Sequence, residues 1–236
     1  MNQIVFSIVL GFFLRKVRMK YGEGVAREVR TEAKKEYREI IPYVPKVGGI
    51  KNYFSGIAVA NGWFIATYKA MKPMGYTAED VMTIWAEIVD GLFRKMPGWL
   101  RVRIGKFLTS DQAIKGFHKQ AKRSQLRDFP GDWVYQINEV QGTDLAIEFQ
   151  ECAAIKMYRE LRVQEMSPFC SFADVTYSTY LGIGIDATET LGLGFPSCKL
   201  YYQREGGIKF NQRIQPILPA HLVENPNVQA VEVNPG

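Results

Sequence analysis

Cysteine and histidine are scarce in this chain. It has three cysteines, Cys152, Cys170 and Cys198, and two histidines, His118 and His221, among 236 residues. Thiols odd in number and widely spaced argue against the disulfide framework of a small secreted domain and favour a reducing, cytoplasmic setting. Neither histidine falls in a ligand-spaced pair such as HExxH, which argues against a histidine-based catalytic metal site. Any metal would have to be held by thiolates and carboxylates. Membrane-length apolar runs are missing too: residues 4–14 (IVFSIVLGFFL) fall well short of the roughly 20 needed to cross a bilayer. They also lack the preceding basic region and cleavage site of a secretory signal. The chain has no internal repeat, no low-complexity tract and no dinucleotide fingerprint, since Gly182, Gly184, Gly192 and Gly194 do not form a GxGxxG that follows a strand and opens a helix.

What is present is enough apolar material for one sizeable core, with 47% hydrophobic residues. Charge is unevenly distributed. Before Gly131 there are 23 basic and 11 acidic residues, about +12, and the remainder of the chain carries about −6. The charges are spread over amphipathic helical patterns instead of one basic run, so no nucleic-acid partner is expected. Residues 1–20 read as an apolar helix with a basic trailing edge (Arg15, Lys16, Arg18, Lys20). It is expected to pack on the domain or on a dimer partner, with peripheral membrane contact as the alternative. A homo-oligomer is expected because that segment needs cover.

Helical spacing then dominates as far as about Ser124. Val25, Val29, Ala33 and Tyr37 form one stripe, and Pro42 and Pro45 stop it. Residues 53–71 are apolar almost all round. Thr77 and Asp80 form a capping box ahead of Val81, Ile84, Trp85, Ile88 and Leu92. Short helices are expected over residues 99–107 and from Ser110 to Ser124. After Pro130-Gly131 the period changes to two, with Trp133, Tyr135, Ile137 and then Leu145, Ile147, Phe149 predicting a β-hairpin. Helices over residues 151–163 and 168–181 and a strand over 198–203 complete the pattern. The expected fold is α+β, a helical N-terminal half followed by a small, mainly antiparallel sheet with two further helices. The expected organisation is an N-terminal helix (1–20), a single domain (21–205) and an extended tail (206–236).

The chemistry-bearing residues gather late in the chain. On a helix, Cys152, Lys156 and Arg159 share a face at i, i+4 and i+7, so two cations would favour a thiolate. Cys170, Asp174 and Tyr177 share another face, combining a thiol, a carboxylate and a phenol. Glu151 opens the first of these helices as a candidate base or as a favourable first-turn charge. Core packing is the competing explanation for each cysteine.

Glu151-Cys152 with Tyr158, Pro168-Phe169-Cys170 with Asp174, and Gly194 followed by Cys198 occur here in the order seen in the L-2-amino-thiazoline-4-carboxylic acid hydrolase family, which the chain resembles over roughly residues 20–205. Residues 45–49 (PKVGG) and 66–81 (ATYKAMKPMGYTAEDV) add to the resemblance. The chain departs from it at Cys198-Lys199-Leu200, where such proteins commonly have Cys-Asp-Phe. The resemblance implies hydrolysis of a small cyclic amidine or thiazoline by thiol- and carboxylate-assisted ring opening. Cys170 or Cys152 would be the nucleophile, Asp174 the acid/base, Lys156 or Arg159 the carboxylate anchor, and Tyr177 and Cys198 further substrate contacts. Either a thiol attacks directly or thiolates hold a metal that activates water. The arrangement of cysteines, glycine and aromatic strand also resembles vinyl-reductase-type and vesicle-tethering-subunit domains, which implies a small-ligand or metal-binding module without turnover.

Overall fold

A computed structural model describes residues 3–49 and 52–235. Its first half is helical: α1 (Gln3–Tyr21), α2 (Glu23–Ile40), α3 (Ser55–Met71), α4 (Ala78–Lys95), α5 (Gly98–Leu108) and α6 (Asp111–Ser124). Local chemistry sets the boundaries. Gly22, at φ 92°, breaks α1 from α2. Asp80 N–H donates to the Thr77 hydroxyl while Thr77 N–H donates to the Asp80 carboxylate, closing the capping box of α4. Ser110 accepts from Ala113 N–H to start α6.

The N-terminal helix belongs to the main core. Phe6 stacks on Tyr37 of α2 at 4.0 Å between ring centres, and Phe13 packs on Trp85 of α4 at 5.1 Å. The Trp85 indole N–H donates to the Thr67 hydroxyl of α3 at 2.9 Å, so its polar edge is satisfied inside the core. Phe6, Leu10, Phe13, Leu14 and Val17 are all buried, each contributing on the order of 2 kcal/mol of transfer free energy. Among the described residues no helix is long and apolar enough to cross a membrane.

The second half is built on one six-stranded sheet in the order β1-β2-β4-β3-β5-β6. The strands are β1 (Val134–Asn138), β2 (Leu145–Glu151), β3 (Gly184–Glu189), β4 (Cys198–Gln203), β5 (Ile208–Asn211) and β6 (Val228–Val231). Pairings from β1 to β3 are antiparallel, and β3-β5 and β5-β6 are parallel. Helices α7 (Ala153–Glu160) and α8 (Phe172–Leu181) lie between β2 and β3, and the single turn α9 (Ala220–Val223) precedes β6. The fold is α+β with a helical first half, as the periodicity predicts.

The expected extended tail over 206–236 is corrected in its described part, residues 206–235, where β5 and β6 extend the sheet and bury Ile208, Phe210 and Val228.

Candidate functional site

Alternation on two paired strands makes the floor of the site. On β2, Leu145, Ile147 and Phe149 point to one side of the sheet, and on β4 so do Cys198, Leu200 and Tyr202. The antiparallel register sets Phe149 beside Cys198, Ile147 beside Leu200 and Leu145 beside Tyr202. All six line a cavity of about 170 Å³. Its cover comes from Phe54 and from Ile57 and Asn61 of α3, from Cys152 and Ala154 at the start of α7, from Cys170 just ahead of α8, and from Asp174 and Tyr177 on α8.

Cys152, Cys170, Cys198, Asp174 and Tyr177 are therefore brought to one cavity from elements far apart in sequence. Tyr177 donates to the Asp174 carboxylate at 2.9 Å, and its oxygen also lies 2.9 Å from the Tyr202 hydroxyl. Tyr202 and Thr190 were not among the sequence candidates. Strand alternation four residues beyond Cys198 is the signal that points to Tyr202. The Cys170 thiol lies 3.9 Å from the Thr190 hydroxyl, and Leu191 N–H donates to Cys198 Sγ at 3.1 Å. Gly192 makes this crowding possible, since a Cβ there would meet Ser167 O at 2.1 Å and Cys170 Sγ at 2.8 Å.

Burial decides the protonation of the site. The apolar surroundings push the Cys170 thiol up to about 12 and hold Cys152 and Cys198 above the ordinary thiol range. Backbone N–H groups of Ala154 and Ile155 and the Trp133 side chain pull Cys152 back only in part. All three sulfurs are thiols at neutral pH. Desolvation also raises Asp174, to about 6, against the opposing hydrogen bond from Tyr177. Asp174 is the site's group that changes charge near neutrality.

Three sequence candidates lie elsewhere. Cys152 occupies the N-cap of α7 in extended backbone, φ −122° and ψ 124°, so helical spacing does not align it with Lys156 and Arg159. Arg159 is exposed. The Lys156 ammonium donates to Pro130 O at 2.8 Å and Asp132 O at 3.0 Å and pairs with Glu151 at 2.5 Å. Glu151 is also paired with Arg127. None of Glu151, Lys156 and Arg159 lines the cavity. Lys199, which replaces the acidic residue common in the resembling family, is likewise remote from it. It stands on the opposite face of β4 and pairs with Glu189 at 2.6 Å.

Two consequences bear on chemistry. Among the described residues that line the cavity there is no lysine, arginine or histidine, and Asp144, the other carboxylate on the wall, is paired with Arg204 at 3.3 Å. No group of three or more His, Cys, Asp or Glu side chains among the described residues is arranged to hold a metal ion, so the thiols and Asp174 share a cavity without forming a coordination set.

No family model, curated protein or solved structure matches the chain.

Proposed function

We propose that this protein binds a small, ring-sized ligand in the cavity between the sheet and α3, α7 and α8, with Asp174 meeting its one polar, hydrogen-bond-donating or positively charged group. The observation that carries this reading is a single carboxylate without a cationic partner, set among aromatic, aliphatic and thiol walls. A cavity near 150 Å³ with apolar walls accommodates a benzene-sized molecule, so about 170 Å³ suits one ring with a small substituent. A cyclic amidinium fits both the size and the charge. A ligand carboxylate would be desolvated beside Asp174 with no cation to receive it, which is costly.

Calorimetric titration and thermal shift with 2-amino-thiazoline, its 4-carboxylate and a neutral thiazoline test the reading. The first and third are expected to bind and the carboxylate to bind at least tenfold more weakly. Asp174→Asn is expected to weaken the amidine far more than the neutral ring. Tighter binding of the carboxylate would sink the proposal.

A second reading, ring-opening hydrolysis, draws on one specific observation: Asp174 titrates near 6, where a carboxyl can exchange a proton with a substrate nitrogen or an attacking water. Protonated thiols do not supply the attacking group, so water would do so with Asp174 as base. Mass-spectrometric detection of a ring-opened product, lost in Asp174→Asn and retained in Cys170→Ala, distinguishes this reading from binding without turnover.

A further inference from the structure

Helix α1 is apolar on two sides. Its inner face, Phe6, Leu10, Phe13, Leu14 and Val17, is buried. At 100° per residue, Val5, Ile8, Phe12 and Met19 form a second stripe on the opposite side, and they are 42%, 60%, 61% and 74% exposed. A helix apolar all round is ordinarily covered all round, and this one is covered on one side only among the described residues.

The outer stripe runs into a groove of about 620 Å³ between α1, α3 and α4, walled by Phe12, Trp63, Trp85, Ile88 and Leu92. Leu92, on α4, is itself 63% exposed. The other side chains around this groove include Arg15, Lys16, Arg94 and Lys95. Its one acid, Glu87, is held by Lys16 at 2.7 Å, while Arg15, Arg94 and Lys95 join none of the ion pairs among the described residues.

The charge selects the occupant. In a twofold dimer the same patch faces itself, so the basic groups around one groove would meet those around the other. An anionic lipid surface satisfies both components, because acyl chains take the apolar stripe and groove while headgroups pair with the free cations. We infer that the outer face of α1, with the groove it shares with α4, is a docking surface for an anionic phospholipid bilayer, on which the protein lies without spanning it. This surface is separate from the cavity at Asp174, and no residue lines both.

Co-sedimentation of the full chain with phosphatidylcholine vesicles, with and without phosphatidylserine, tests the inference. Binding is expected only with phosphatidylserine and is expected to fall as salt is raised. Each basic residue near a charged surface contributes about fivefold to partitioning, so Arg94→Gln with Lys95→Gln is expected to lower it roughly 25-fold. Phe12→Ser, a change on the outer side of α1, is expected to lose at least tenfold with an unchanged melting temperature. Equal binding to both vesicle types, wild-type binding by both variants, or a solution dimer that Phe12→Ser converts to monomer would each overturn the inference.

Discussion

The hydroxyl of Tyr177 reaches back one helical turn to the carboxylate of Asp174, 2.9 Å away, and thereby stabilises the charged form of a group that burial drives towards neutrality. Burial is the larger effect, because Asp174 still titrates near 6 instead of near 4. The folded protein thus holds a carboxyl more reluctant to ionise than in the unfolded chain.

Stability carries the signature of that difference. Below about pH 4 both states hold the proton and nothing is lost. Between about 4 and 6 the unfolded state releases it first, so stability falls as pH rises, and above 6 the cost levels off at roughly 2–3 kcal/mol. Asp174→Asn is expected to remove this loss and stabilise the protein at pH 8 while leaving pH 4 nearly unchanged, as read by urea denaturation across the range. A parallel pH dependence in the variant would contradict the assignment.

Replacing Tyr177 by phenylalanine deletes the donor that favours the Asp174 anion. The carboxyl titration followed by isotope-edited NMR is expected to move further up, and amidine binding is expected to require a higher pH. An unmoved titration would mean that the hydrogen bond does not form in solution.

The protonated thiols predict slow alkylation. With Cys170 near 12, its thiolate fraction at pH 8 is on the order of a thousandfold below that of an unfolded cysteine, and iodoacetamide labelling of the folded protein is expected to lag accordingly. Rapid labelling of Cys170, resolved by peptide mass mapping, would restore the nucleophile reading.

Gly192→Ala tests the packing beneath the cavity. The new methyl would collide with Ser167 O and Cys170 Sγ, and a backbone carbonyl cannot turn aside as a side-chain tip does. A destabilisation of about 1–3 kcal/mol is expected from thermal melting, together with weaker ligand binding. A melting temperature equal to wild type would show that the segment relaxes freely.

Local signals in the sequence were sufficient for α4, α6 and the β1-β2 hairpin. Thr77 with Asp80, Ser110, and the alternation of Leu145, Ile147 and Phe149 each act over a few residues. Strands β5 and β6 leave no local signal because four residues, IKFN and VQAV, are too few to establish a period and each pairs in parallel across a crossover instead of in a hairpin. Strand β3 has no counterpart among the sequence-predicted strands, although it pairs on both sides. Within the site, residue types were legible and directions less so. Spacing placed Cys170, Asp174 and Tyr177 together, but the same rule misaligned Cys152 with Arg159, because an N-cap residue does not share the helix's dihedral angles.

The sheet's two margins are unequally guarded. At β1, the Ser124 hydroxyl and the Gln125 amide, just past α6, both donate to Tyr135 O, so that margin is partly closed by side chains. Strand β6, at Val228–Val231, forms the other margin and has a single paired side among the described residues. Cutting the chain ahead of Val228 would unmask β5 as a bare ladder and invite strand exchange between molecules, so clipped material is expected to aggregate more readily than intact protein.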